Sequence, residues 1–258
     1  MSRYVFLGTV LPPLHVGSEP PLSFDELMTF FRDNLSKGDL EKVKTVLRYS
    51  DLKNVQNLLL ERPLDYRANL NEKELDEALL NQVSLPPLLF DFLEEYTEVS
   101  DQLKHFSKVF ITFFKEMDKK EKGFLKEYFQ FEREWRILLA GYRAKKMGID
   151  PTKELQHEDF SDPLVAEVIA QKDAPSFEFP FEFIELGEKL KDAKNPEEHY
   201  HLMGEFRFRR VLEMGEDEPF SIDYLLGYLV RLMIVEDVFA LSEKKGNEHL
   251  NEMVKGSL

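Results

Sequence analysis

Two Glu-x-x-His pairs, Glu154…His157 and Glu198…His201, are the residues whose types and spacing come nearest to chemistry. Residues three apart on a helix share a face, so each pair could chelate a metal ion, and two such pairs form part of a di-iron bundle site. That site also needs a further glutamate from each of two other long helices. Glu154, however, sits in a polar, loop-like stretch from Asp150 to Phe160. With 49 acidic residues and six histidines, chance pairs at this spacing are expected. His199 and His201 are two apart and face different sides of their helix, which argues against joint ligation within it. No Gly-rich phosphate loop follows a strand, and neither Gly-x-Ser-x-Gly nor His-Glu-x-x-His occurs. The lack of cysteine removes disulfides, thiolate metal sites and a thiol nucleophile, and makes a reducing compartment the default. The sequence thus predicts no catalytic residue, no cofactor and no stoichiometric metal.

The elements available to carry any other function are helices. The strongest runs from Phe220-Ser221 to Ser242, with Ser221 as N-cap, Pro219 just outside and Asp223 in the first turn. Leu225, Tyr228, Leu229, Leu232, Val235 and Phe239 recur at helical spacing, while Leu226, Val230, Met233, Ile234 and Val238 fill much of the other side. A helix apolar nearly all round is a buried one. Asp223, Arg231, Glu236 and Asp237 interrupt it too often for the ~18–20 residues of a membrane span.

Upstream, Ser23-Phe24-Asp25-Glu26 and Asn71 to Glu74 have the form of capping boxes, and Pro86-Pro87 suits a helix start. Gly38 is expected to stop the first helix, Asp39 to restart one, and Asp51 to open another that ends at Pro63. A stripe of Leu103, Phe106, Phe110, Phe113 and Phe114 leads to Met117. Beyond a turn at Gly123, Phe124 to Leu139 form a second long helix, closed by Arg143, Lys145, Lys146, Gly148 and Pro151. Trp135 lies on its apolar stripe, so core packing is its expected job. Asp162-Pro163 and Asn195-Pro196-Glu197-Glu198 start two more helices, the latter ending at Gly215. Tyr4 to Leu11 is apolar and β-permissive, followed by extended chain through Pro12, Pro13, Pro20 and Pro21. No segment alternates strongly enough for a sheet. The fold class is all-α.

The 258 residues, 43% apolar and including 22 Phe, supply an abundant core. A net charge of −15 opposes nucleic acid and anionic lipid as partners of the whole surface. The start, with one basic residue and a short apolar run, does not read as a signal peptide. The expected location is cytoplasmic.

Three stretches echo one another: Asp51 to Leu58, Glu132 to Leu138 and Glu236 to Leu241 each place acids before an apolar turn and end in basic residues, at Arg62, at Arg143 with Lys145, and at Lys244 with Lys245. Phe131 to Gly148, with Trp135-Arg136-Ile137-Leu138-Leu139 and Arg143-Ala144-Lys145-Lys146-Met147-Gly148, resembles the "Asn-Leu-Arg…Arg-Ala-Lys…Gly" segment of the C subunit of V/A-type ATPases, which is the d subunit of the eukaryotic enzyme. The stretch Glu218-Pro219-Phe220-Ser221-Ile222, with Tyr228 and Glu236, is similar to that family's last helix. Asp51-Leu52-Lys53-Asn54-Val55 resembles the motif in a first repeat. The chain's opening, Tyr4 to Pro13 and Pro20-Pro21-Leu22-Ser23, resembles a bacterial branch, formerly of unknown function, associated with V-type ATPases. The chain departs from the pattern at Glu134-Trp135-Arg136, and at Asp237-Val238-Phe239, which lacks both Asn and Arg.

The resemblance implies a non-catalytic, funnel-like helical protein of three pseudo-symmetric modules, one domain of the C-subunit kind over residues 1–258 with module boundaries near 85–100 and 160–180. Its implied partners are the central shaft and the membrane rotor ring of a V-type ATPase, with no nucleic acid, no transmembrane segment and a monomer outside the complex. It would lie peripherally on the inner membrane face and transmit torque. The alternatives are a helical adaptor that kept the fold but serves another partner, and a metal-dependent helical enzyme using the two Glu-x-x-His pairs.

Overall fold

The computed structural model describes residues 4–215 and 220–255, with side chains up to residue 242. Glu218, Pro219 and the side chains of Lys244 and Lys245 therefore lie outside the described residues. Among those described there is no strand. The helices are α1 (Val5–Val10), α2 (Phe24–Asn34), α3 (Lys37–Leu59), α4 (Glu72–Asn81), α5 (Pro87–Glu95), α6 (Val99–His105), α7 (Ser107–Lys120), α8 (Phe124–Met147), α9 (Pro151–Glu154), α10 (Pro163–Ala170), α11 (Ile184–Asp192), α12 (Pro196–Gly215) and α13 (Ile222–Lys255), with one 3-10 turn at Phe181–Phe183. The fold is all-α. No helix of the described residues is long and apolar enough to cross a membrane.

Helix boundaries follow the capping chemistry. Ser23 and Asn71 each close a complete capping box, with Glu26 and Glu74 reaching back to the cap's own N–H. Pro87 begins α5 and Gly148 ends α8 in the left-handed conformation, as expected of a residue without Cβ. Four expectations need correction. The β-permissive Tyr4 to Leu11 stretch forms the short helix α1, its Leu7 buried and Tyr4 hydroxyl donating to Asp39. Gly38 does not stop a helix and Asp51 does not open one: both lie within the continuous α3, whose interior Asp51 finds partners outside its own helix. The Phe stripe is not one helix either, because the chain breaks at Phe106, shared between the ends of α6 and α7.

The chain forms two compact units, one of residues 1–40 with 181–258 and the other of 41–180. In the first, α12 and α2 pack on α13, whose Leu225, Leu226, Leu229, Leu232 and Val235 are all fully buried. Gly204 lets α12 and α13 approach closely, since a Cβ there would lie 2.5 Å from Val238. Tyr200 on α12 is 40% exposed.

The second unit is built on aromatic rings. Phe106 and Phe110 meet edge to face at 5.3 Å, Tyr49 meets Phe110 at 5.7 Å, and Phe113 meets Phe129 of α8 at 5.2 Å. A smaller core of Ile137, Leu155, Val165 and Val168 fixes α9 and α10 against the far half of α8. Trp135 is 5% exposed, in agreement with its place on the apolar stripe.

Candidate functional site

The Glu-x-x-His pairs do not assemble. Glu154 is exposed at the end of α9. The His157 ring instead places its Nε2 2.9 Å from Nδ1 of His105, and Tyr96 stacks on the His105 ring at 4.8 Å. Burial lowers the His157 pKa, and the neighbouring His105 and Lys108 lower it further. Glu198 is occupied in starting α12: its carboxylate accepts from the Lys194 N–H at 2.7 Å, while Asn195 Oδ1 accepts from the Glu198 N–H. His201 lies 3.2 Å from Glu205, one turn on. Among the described residues no three His, Asp or Glu side chains gather as metal ligands would.

The family-motif positions are better defined. Each of the three long helices, α3, α8 and α13, uses a polar side chain in its middle to hold the start of a shorter helix. On α3, Asp51 is 2% exposed and accepts the N–H groups of Asn69 and Leu70, at 2.8 and 3.1 Å, just ahead of the Asn71 cap of α4. Asn69 Nδ2 donates to the second carboxylate oxygen at 2.7 Å. Burial pushes the Asp51 pKa up, against the pull of the Asn69 and Leu70 donors. One turn on, Asn54 brackets Asp65, accepting its N–H and donating to its carbonyl, both at 2.8 Å. Burial also works to raise Asp65, but the hydrogen bond and charge of Arg67 outweigh it and leave that carboxyl below its ordinary range.

On α13, Glu236 accepts the N–H of Phe24 at 2.9 Å, the residue that follows the Ser23 cap of α2. On α8 the contact is made by Arg133, which is not among the candidate positions in the sequence. Its guanidinium reaches Asp162, the cap of α10, at 2.9 Å and Glu158 at 2.8 Å. The adjacent Glu132 is buried. The available signal was Arg133 lying inside the echo while Asp162-Pro163 announced a helix start.

Other motif residues also point into the fold. The Arg136 guanidinium lies over the Phe110 ring at 3.9 Å. Lys145 donates to the carbonyls of Gln171 and Lys172 beyond α10, at 3.1 and 3.0 Å. Trp135 packs near Phe131. At the start of α13, Ser221 Oγ accepts the Tyr224 N–H at 3.1 Å, as an N-cap should. Phe220 adopts φ 72°, its carbonyl accepts the Tyr4 N–H at 3.1 Å, and its ring rests on Gly8, where a Cβ would come within 1.9 Å. The Tyr228 hydroxyl donates to the Pro12 carbonyl at 2.8 Å, and burial raises its pKa. Arg143 is exposed, as are Lys146 and Met147 farther along the same motif.

The model of a family described as a protein of unknown function, DUF2764, matches residues 1–257. The chain belongs to this DUF2764 family. A Chlamydia muridarum relative is 30% identical over 263 residues, covering 99% of both chains. Another, from Chlamydia trachomatis serovar D, is 31% identical over 264 residues with the same coverage. A Chlamydia pneumoniae relative is 29% identical over 262 residues, covering 99% of this chain and 98% of its own. Each carries the description "uncharacterized protein". No solved structure matches. These end-to-end matches make the helical layout above a property to look for across DUF2764 chains.

Proposed function

We propose that this protein is a non-catalytic coupling component of a V/A-type ATPase, similar to its C subunit, joining the central shaft to the membrane rotor ring. The observation that carries the reading is the repeated grip of a long helix on the start of a shorter one, by Asp51, Arg133 and Glu236. The resemblance at Asp51 to Val55, Phe131 to Gly148 and Phe220 to Glu236 implies three pseudo-symmetric modules, and the grips fall at or next to those motifs. A protein that transmits torque works as a stiff spacer. Contacts at helix starts stiffen such a spacer: Asp51 and Glu236 accept backbone N–H groups that are costly to leave unpaired away from water, and Arg133 pairs with the carboxylate that caps α10.

Such a socket needs sizeable packed partner interfaces. With a net charge of −15, it would associate with proteins of the shaft at a rate that falls as salt rises. On this reading the protein is peripheral on the cytoplasmic membrane face.

One observation favours a second reading. Asp51, Asn54, Trp135, Lys145 and Tyr228 serve the fold itself, so an adaptor with another partner would retain them equally. Native mass spectrometry of tagged protein purified from its own host separates the two. Shaft and ring proteins in the purified assembly support the coupling role. An assembly with a different partner, free of ATPase components, refutes it and leaves the adaptor.

A further inference from the structure

In a chain of net charge −15, the C-terminal end of α8 stands out as basic. Arg143, Lys146 and Met147 are spaced i, i+3 and i+4 and so share one helix face, and all three are exposed. Met147 is 70% exposed and Ile149, just beyond the Gly148 cap, is 38% exposed. Lys153 on α9 is exposed too, and Lys146 holds its ammonium 4.8 Å over the Tyr142 ring. The acid within this stretch, Asp150, is taken up by Lys172 at 2.6 Å, and the next, Glu154, is at its edge. Lys145 turns away to the carbonyls of Gln171 and Lys172. Helix-end complementarity accounts for some of this positive charge. It does not account for two large apolar side chains held in water among the cations.

We propose that this end of α8 is a docking surface for an acidic segment of a partner protein, with Met147 and Ile149 as the apolar anchor and Arg143, Lys146 and Lys153 as the matching charges. A flexible thioether suits a surface that must fit another chain's side chains. Charge complementarity selects the occupant. A second copy of this chain, like an anionic bilayer, would bring an extended negative surface against the remaining acidic surface here, whereas a short acidic segment meets the basic patch alone. An acidic segment one or two helical turns long matches its extent. The inference does not depend on the rotor reading.

The test is a photo-crosslinking amino acid placed at Met147, and separately at Ile149, in the full-length protein expressed in its own host, with the attached peptide sequenced by mass spectrometry. The expected product joins position 147 to a protein segment with a clear excess of Asp and Glu. In an Arg143→Glu, Lys146→Glu background its yield falls at least about tenfold, because attractive pairs have become repulsive ones. Both substituted residues are exposed, so the melting temperature checks that the fold is intact. Attachment to lipid, to a second copy of this chain, or to a segment without acidic excess overturns the proposal. So does an unchanged yield in the charge-reversed protein, or no attachment at either position.

Discussion

Replacing Asp51 by alanine probes the grip of α3 on α4 most directly. The substitution removes three hydrogen bonds, from the Asn69 N–H, the Leu70 N–H and Asn69 Nδ2, and leaves two backbone donors unpaired beside a 2% exposed position. Each unsatisfied buried donor costs about 1–3 kcal/mol, so the gross loss is about 2–6 kcal/mol for the two. Burial of the carboxyl, which raises its pKa, means that removing the charge returns part of this. The expected net destabilisation is about 2–3 kcal/mol, a fall of roughly 4–12 °C in melting temperature for a chain of this size. Asp51→Asn keeps an acceptor for the two backbone donors but sets its Nδ2 against Asn69 Nδ2, so it should cost about 1 kcal/mol, less than the alanine variant.

The asparagine variant also carries a pH signature. The folded-state pKa of Asp51 lies above its ordinary 3.8, so between those two values the folded chain binds more protons than the unfolded one. The Asp51 contribution to stability therefore declines as pH rises through that window, and the decline is absent in Asp51→Asn. Urea denaturation followed by far-ultraviolet circular dichroism measures both variants. Hydrogen exchange should show the Asn69 and Leu70 amides losing protection in Asp51→Ala. A cost under about 0.5 kcal/mol, with unchanged exchange at those amides, would mean that Asp51 does not hold the start of α4.

Trp135→Ala should destabilise by about 3–5 kcal/mol, and the blue-shifted emission of this single tryptophan should report its burial; a water-like emission maximum in the folded protein counts against it. The folded pKa of His157 lies below 6.5, so its contribution is complete above pH 6.5 and is lost as pH falls through the folded value; His157→Gln should flatten the stability profile across that window, and an unaltered profile contradicts the assignment. Gly8→Val should loosen the α1 contact with Phe220, read as faster exchange of the Tyr4 amide at a melting temperature lowered by a few degrees, and no change would mean the ring does not rest there.

What depends on local chemistry is legible in the sequence. Ser23, Asn71, Asp162, Asn195 and Ser221 announced helix starts because a short polar side chain facing an apolar run has few other uses. The buried character of α13 followed from its pattern, since a helix apolar nearly all round has no face to give to water. Tertiary partners stayed hidden. Asp51 looked like a helix start because an acid before an apolar turn usually is one, and the amides that let it sit inside α3 come from residues 69 and 70. Helix α1 escaped notice for the same reason: six residues with no side-chain cap carry little periodic signal, and Phe220, far along the chain, holds it. Of the motif positions, the residue types were legible but their directions were not. That Arg136 covers Phe110 while Arg143 reaches water depends on which elements pack against α8.

The coupling role itself is tested most directly by ATP-driven ion transport in membrane vesicles from a host that relies on its V-type ATPase, with and without this protein. Vesicles lacking it are expected to lose coupled transport, while the detached catalytic head still hydrolyses ATP and adding back the purified protein restores pumping. Unchanged coupled transport in its absence, with no shaft protein found in the purified material, would contradict the coupling role.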